Sequence, residues 1–372
     1  MVLVFGATGY TGRMVVQDLV DRGVPVRIAG RSQERLEKLS ARHDGLDWVV
    51  ADVKDPPSVS KAAVGTTALI TTVGPYTWWG HISADAALEH GIPYIDITGE
   101  PGWVRQLFEE YGPKATEAGI AMMPAMGYDY VPGNLAGALA LEAASGEGRS
   151  IDIGYFLSGQ NSRSLKSLSG GTLRSLRASS TAMQFAFRDG RIVEERGAKR
   201  VLEFDFGDRK ATAVSIGGTE HYGLSRLHPE LQTVNVGLGW FGAASRAVKL
   251  FASIGEQAER IPGVRTVIEK TTGGSGQTET KGRSEPAGPN DDAREQARTN
   301  VIAVVRDGGG EIVSQVELDG PNPYDLTGRI VGWAAEQSVS GGLKASGTIT
   351  PVEAFGLEEL RAACEQIGLN EV

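Results

Sequence analysis

Over the first 145 residues a short apolar run, a glycine-rich or polar turn, and a stretch with apolar residues three and four apart follow one another repeatedly. The runs read as buried parallel strands and the stretches as helices covering them. Strands are predicted at Val2–Phe5, Val26–Ala29, Trp48–Ala51, Ala68–Thr72, Tyr94–Asp96 and Ile120–Met123. Helices are predicted from Gly12 to Gly23, Ser32 to about Arg42, a short one opened by Pro56-Pro57, His81 to His90, Pro101 to near Gly119, and Pro132 to Ala144. Proline at a start and glycine just past an end mark several of these limits. The alternation predicts an α/β fold with a doubly wound, Rossmann-type parallel sheet.

After Gly146 the pattern changes. Residues 151–157, 201–206 and 211–216 read as strands, and Arg188-Asp189-Gly190 as a turn between two short ones. Ser169-Gly170-Gly171-Thr172 precedes a predicted helix ending near Phe185, and Thr271 to about Arg298 reads as a loop near the substrate mouth. Asn300 to Arg306 and Glu311 to Leu318 flank Gly308-Gly309-Gly310 as a hairpin. Helices are predicted from Asp325 to about Val339 and from Leu357 to Ile367. The division expected is a nucleotide domain over 1–145 and a second α+β domain on a mainly antiparallel sheet over 146–322. C-terminal helices over 323–372 would return to the first domain.

The length, 372 residues, suits two domains, and 41% hydrophobic with 22% charged residues is ordinary for a chain with a proper core. A net charge of −9 argues against a general nucleic-acid surface. The one cysteine, Cys364, excludes an internal disulfide or thiolate cluster, and its helical spacing suggests a buried core thiol. No apolar run has membrane-spanning length, and a first strand beginning at Val2 leaves no room for a signal peptide. A cytoplasmic protein is expected.

The stretch Val2 to Arg13 sharpens this picture. Gly6, Gly9 and Gly12 stand between a strand and a helix. Gly6 would permit the tight turn, Gly9 the approach of a pyrophosphate, and Gly12 close packing of helix on strand. Thr8, Tyr10 and Thr11 lie in the same turn, whose helix N-terminus offers N–H groups to phosphates. At the end of the second strand an NAD site would carry an acid, but the chain has Ala29-Gly30-Arg31-Ser32. Arg31 is suited to a 2′-phosphate, with Ser32 adding a hydroxyl and Arg13 and Arg35 at hand, so NADP(H) is the expected cofactor. Arg31 as a solvated surface residue is the competing reading. Asp52 is placed either to meet the adenine amino group or to cap a helix. Gly74, Pro75 and Tyr76 would lie beside the nicotinamide.

Candidate chemistry gathers where strands end. Gly74–His81, Asp96–Glu100 and Met126–Pro132 should converge, carrying Tyr76, His81, Asp96, Glu100, Tyr128 and Asp129. Tyr76 and Asp129 are the first candidates for the proton that accompanies hydride transfer. Asp129 reads equally as a helix cap, and Glu100 as a first-turn charge before Pro101. Trp78 and Trp79 would wall an apolar pocket or fill the domain junction. No tyrosine is followed four residues later by lysine, Tyr111 and Lys114 being three apart, so the tyrosine–lysine pair of short-chain dehydrogenases is missing. His-x-x-x-His, Cys-x-x-Cys and Gly-x-Ser-x-Gly are missing too, which argues against zinc and serine-hydrolase chemistry.

Gly6–Arg13, Ala29–Ser32, Val73–Tyr76, Asp96–Glu100 and Gly127–Pro132 occur in the order and spacing of the saccharopine dehydrogenase-like oxidoreductases. Ser169–Thr172, Pro323-Tyr324, Ala335-Glu336 and Gly347–Pro351 resemble later segments of that family, which includes bacterial trans-acting enoyl reductases. The resemblance implies a Rossmann domain, a nicotinamide cofactor, and a second α/β domain that often mediates dimers. It departs at Tyr128-Asp129-Tyr130-Val131-Pro132-Gly133-Asn134, where relatives tend to carry Phe-Asp-Ser-Val-Pro-Ser-Asp. A family role therefore transfers there only to Asp129 and Pro132. Saccharopine chemistry also needs cations for substrate carboxylates, for which Arg163, Arg174, Arg177 and Arg188 are available. The expectation is an NADPH-dependent reductase of an activated C=C or C=N bond in a small molecule, an acyl chain included, working as a homodimer. An amine or opine dehydrogenase and an NADP(H)-sensing regulator without turnover are the alternatives.

Overall fold

The computed structural model describes residues 1–158, 183–239 and 294–372. Strands β1 (Val2–Phe5), β2 (Val26–Gly30), β3 (Asp47–Val50), β4 (Ala68–Thr71), β5 (Tyr94–Asp96) and β6 (Ala121–Met123) form a parallel sheet. A further two-residue strand, Gly347–Thr348, pairs in parallel with β6 and completes the sheet at seven strands. β1 lies between β2 and β4, so the strand order reverses between β1 and β4. Open α/β sheets hold ligands at such a reversal, outside the carboxyl ends of the strands. β1 and β4 are buried along their whole length, as strands covered on both faces must be.

Helix α1 (Tyr10–Asp21) follows β1 and turns Val15, Val16 and Leu19 into the core. Next come α2 (Gln33–Ala41), α3 (Pro56–Ala63) and α4 (Tyr76–His90). α5 (Pro101–Gln106) continues through a π turn over Leu107–Tyr111 into α6 (Gly112–Ala118). α7 (Val131–Ala143) is buried at every position from Val131 to Leu141, because the second of two sheets covers one side of it and helices from later in the chain cover the rest. The second of those sheets comprises β7 (Ser150–Ser158), β8 (Met183–Arg188), β9 (Arg191–Arg196), β10 (Val201–Asp205), β11 (Lys210–Ser215), β12 (Thr233–Leu238), β13 (Arg298–Arg306) and β14 (Ile312–Gly320). All its pairings are antiparallel except β12 with β7. Ile151, Ile153 and Tyr155 of β7 and Val301, Ala303 and Val305 of β13 join α7 in one core with β1 and α1.

Helix α8 (Glu220–Leu227) sits between β11 and β12 in sequence. α9 (Pro323–Val339) lies along α1, where a β-carbon on Gly328 would be 3.0 Å from that of Met14. α10 (Pro351–Phe355) and α11 (Leu357–Ile367) follow. The final strand, Asn370–Glu371, pairs with β14. Residues 323–372 thus reach both sheets. The peptide bonds Gly74–Pro75 and Asp129–Tyr130 are cis.

Several expectations need correction. α4 begins at Tyr76 rather than at the predicted His81, because Glu100 caps it from another loop. Residues 183–185 belong to β8 rather than to the end of a helix, and the rest of that predicted helix lies outside the described residues. Arg298, placed at the end of a loop, begins β13, while 271–293 lie outside the described residues. α8, β12 and the two short C-terminal strands have no counterpart among the predicted elements.

Candidate dinucleotide and catalytic site

The glycine turn has the geometry that its spacing predicts. Gly6 has φ of 88°, and a β-carbon there would lie 2.5 Å from Thr72 Oγ1 and 2.8 Å from Val73 Cγ2. At Gly12 it would run into the carbonyl oxygen of Gly6 and come within 3.0 Å of Ala7 Cα, so only glycine lets α1 start this close to β1. Gly9 N–H donates to Gly6 O at 2.8 Å, and no side chain caps the N-terminus of α1. The N–H groups of the first turn, carried by Tyr10, Thr11 and Gly12, therefore face outward with the positive end of the helix dipole. This is a cradle for a diphosphate, and these residues fit a dinucleotide.

The neighbouring loops border the same turn. A β-carbon on Gly30 would be 3.6 Å from Thr8 Oγ1, so Thr8 reaches the end of β2, next to Arg31. Arg31 is exposed, and Ser32 stands at the N-cap of α2 with its hydroxyl uncommitted to the cap. Asp52 Oδ1 accepts the Lys54 N–H at 3.0 Å, which folds Asp52 into its own turn. Tyr10 packs edge-on against Tyr324 at 5.1 Å, and Arg294 hydrogen-bonds it. Thr72 Oγ1 donates to Gly6 O at 3.1 Å and ties the end of β4 to the turn.

Three strand-end segments meet here. Glu100, beyond β5, accepts the Tyr76 and Thr77 N–H groups at 3.0 Å each and the Thr77 hydroxyl at 2.7 Å. A carboxylate on the first N–H groups of α4 is favoured by hydrogen bonding and by the helix dipole together. Asp96 is fully buried and fully satisfied. Oδ1 takes N–H bonds from Thr98 and Ala125 at 2.9 and 2.8 Å, and Oδ2 takes the Tyr94 hydroxyl and Trp103 Nε1 at 2.7 and 2.8 Å. Asp96 and Glu100 therefore build the loops.

Tyr76, expected to carry a proton, is turned the other way. Its ring is buried and its hydroxyl donates to the Thr71 carbonyl at 3.1 Å. Burial, with Asp96 and Glu100 nearby, pushes the phenol well above its ordinary range. Trp78 is exposed and Trp79 half-buried, while His81 is exposed on α4.

Asp129 is different. It does not cap α7, whose N-cap is Tyr130. Its carboxyl lies against Gly99, where a β-carbon would be 2.8 Å from Oδ2. Oδ1 is shut off from solvent and has no hydrogen-bond partner, although the residue keeps part of its surface open. Burial raises the carboxyl to about 7. A carboxyl that burial raises towards neutrality is a candidate for proton transfer. Tyr128 beside it is buried, its ring edge-on to Tyr155 at 5.5 Å.

Two residues that the sequence did not suggest back this site. Glu220 is fully buried at the start of α8, and its Oε1 accepts the Tyr155 hydroxyl at 2.7 Å. Neither lies in a motif, and no local pattern marks either one. Arg188 is committed elsewhere, to Glu195 and to the carbonyls of Phe187 and Val234. Arg163, Arg174, Arg177 and the Ser169–Thr172 segment lie outside the described residues. Cys364 is buried, its thiol pushed up to about 12, as its helical position suggested.

Residues 6–94 match the NAD(P)H-binding family. The turn and the sheet reversal therefore define an NAD(P)H-binding domain. Among curated relatives, a lipid droplet localized protein of Caenorhabditis elegans is 34% identical over 146 residues, covering 36% of this chain and 34% of its own length. A saccharopine dehydrogenase-like oxidoreductase of Bos taurus is 30% identical over 151 residues, 36% of this chain and 35% of its own. A trans-acting enoyl reductase of Mycobacterium ulcerans is 35% identical over 140 residues, 36% of this chain and 34% of its own. The chain thus matches about a third of the length of these relatives. The apo saccharopine dehydrogenase (L-Glu forming) of Saccharomyces cerevisiae shares the fold over 100% of this chain and 99% of its own, with TM-score 0.61 and 14% identity. Within the NAD(P)H-binding class, the chain is similar to the saccharopine dehydrogenase-like oxidoreductases, in sequence over about a third of its length and in fold throughout. No helix among the described residues is long and apolar enough to cross a membrane.

Proposed function

We propose that this protein is an NADPH-dependent oxidoreductase that reduces an activated C=C or C=N bond of a small biosynthetic intermediate. The observation that carries this reading is the Asp129 carboxyl, one oxygen buried without a hydrogen-bond partner and the other against Gly99 in the loop that follows β5. NADPH, when bound, supplies the hydride. The N-terminus of α1 holds its diphosphate, and Arg31 with Ser32 meets the 2′-phosphate. Gly74 and Pro75 would border the nicotinamide, and Asp129 would give the acceptor its proton. Trp78 and Tyr128 wall the acceptor. Tyr76 positions the β4–α4 loop from below.

The relatives named as enoyl reductases favour a C=C bond conjugated to a carbonyl, an acyl chain included. The saccharopine dehydrogenase fold favours a second reading, oxidation of an amine, which needs cations for substrate carboxylates. Arg188 does not supply one, since its partners are internal. We place the working form as a cytoplasmic homodimer.

The test is titration with NADPH and NADH, then turnover with α,β-unsaturated thioesters and imines. Preference for NADPH, turnover of one acceptor class, and loss of turnover but not of NADPH binding in Asp129→Asn are expected. Tight NADPH binding with no consumption by any acceptor would make the protein a sensor. Unchanged turnover in Asp129→Asn would remove Asp129 from the chemistry.

A further inference from the structure

Asp129 does not stand alone. Around it, three glycines make room for two carboxyls. Gly99 leaves space for Asp129, and β-carbons on Gly133 and Gly218 would each run into Glu220. The Tyr155 hydroxyl joins the two halves. It accepts Gly133 N–H at 2.8 Å, and lies 2.7 Å from Glu220 Oε1 and 3.2 Å from the carbonyl oxygen of Tyr130, the residue bonded to Asp129. Asp129 Oδ1, Glu220 Oε2 and Asn134 Oδ1 are buried acceptors without a donor.

We propose that Glu220 is a positioning residue for Asp129, acting through the Tyr155 hydroxyl and the Tyr130 main chain, and that an ionised Asp129 holds back the ionisation of Glu220. This rests on the reading of Asp129 as the proton-delivering group.

A hydroxyl has one proton to give. With Glu220 neutral, its O–H points at the Tyr155 oxygen, and the Tyr155 proton is released to the Tyr130 carbonyl. With Glu220 ionised, the Tyr155 proton turns to Oε1, and Tyr130 O keeps only its Asn134 bonds. The bond next to Asp129 is thus made or lost with the proton on Glu220. Two ionised carboxylates, each with a bare oxygen, cannot coexist cheaply in such a site. The groups acting on Glu220 are Tyr155 from β7 and Asp129 from the β6–α7 loop, with Tyr130 packed beside it. On α8 itself, His221 turns its Nδ1 to the Gly218 backbone, and burial lowers it to about 4, so it brings no charge at neutrality. Among the described residues no arginine or lysine is within ion-pair distance of either carboxyl. Burial raises Glu220 to about 8, with the charge of Asp129 adding to the shift.

The pair is read by carbon-13 NMR titration of side-chain carboxyls in the full chain without cofactor. Wild type should show two linked steps that belong to the pair. In Glu220→Gln, which keeps an acceptor for Tyr155, a single step should remain near the Asp129 midpoint of about 7, because Glu220 is still neutral while Asp129 ionises. In Asp129→Asn the Glu220 midpoint should fall below about 8, because the ionised neighbour that helps to raise it is gone. This second variant reads the coupling even if Glu220→Gln does not fold. A Glu220 midpoint unmoved in folded Asp129→Asn would overturn the proposal. With an acceptor in hand, the pH–rate profile should carry a second inflection near 8 that Glu220→Gln removes, and a profile unchanged in that variant would end the positioning role. The titration needs no substrate, so it stands or falls separately from the reduction, which Asp129→Asn turnover decides.

Discussion

The Asp129 carboxyl rests on the bare α-carbon of Gly99, with Oδ2 at 2.8 Å from the point where a β-carbon would sit. Two strand-end loops touch there through a glycine and an acid. Gly99→Ala pushes a methyl group into the oxygen. Overpacking of this kind costs about 1–3 kcal/mol. The expected outcome is a loss of turnover of roughly tenfold or more, with NADPH affinity retained. Denaturant unfolding and single-acceptor kinetics measured on one preparation check it.

Asp129 should also cost stability. Its folded carboxyl titrates at about 7, above the ordinary value of 3.8. The folded protein therefore keeps a proton that the unfolded chain releases. Stability from this group is complete below the unfolded value, declines as pH rises between the two, and is gone above about 7. An asparagine in its place cannot ionise. At pH 8 the Asp129→Asn variant should be the more stable by about 2–4 kcal/mol, and the gain should vanish near pH 4. A variant no more stable than wild type at pH 8 contradicts the raised carboxyl.

Arg31 is the proposed contact to the 2′-phosphate. It is exposed at the end of β2, beside the residue whose α-carbon faces Thr8. Removing a charge-assisted bond costs about 1.5–3 kcal/mol. Arg31→Ala should weaken NADPH binding about 10- to 100-fold and leave NADH untouched. Fluorescence titration with the two nucleotides tells. Equal losses for both would place Arg31 outside the phosphate site.

Glu100 holds the start of α4 from the loop after the neighbouring strand, β5. Glu100→Gln turns one acceptor into an amide donor that faces the Thr77 N–H and hydroxyl. A loss of about 1–3 kcal/mol is expected, with weaker NADPH binding because the β4–α4 loop shifts. Urea unfolding and nucleotide titration are the measurements. Full stability would mean that a water replaces the carboxylate.

The parallel sheet is legible because its strands are continuous apolar runs and its turn is spelled by Gly6, Gly9 and Gly12. Those features are local. The start of α4 is not legible. Its cap comes from Glu100, 24 residues on, and sequence periodicity cannot register a cap supplied by another loop. Tyr76 misleads for a related reason. Its position beside the cofactor loop is readable, but the direction of its ring is set by packing under Thr71. Glu220 and Tyr155 escape notice because 65 residues separate them and neither belongs to a motif. Asp129 is found by topology, while its missing hydrogen-bond partner becomes visible only in three dimensions.

The strand Gly347–Thr348 closes the edge of the first sheet, yet it is spelled more than two hundred residues after β6. A ribosome must therefore have made nearly all of this chain before that sheet can acquire its seventh strand, and before α9 can settle on α1. Until then β6 offers an open flank to any neighbour in extended form. Nascent chains halted before residue 347 should be captured by strand-binding chaperones, whereas those released after it should not. The nucleotide-binding half is encoded first and finished last.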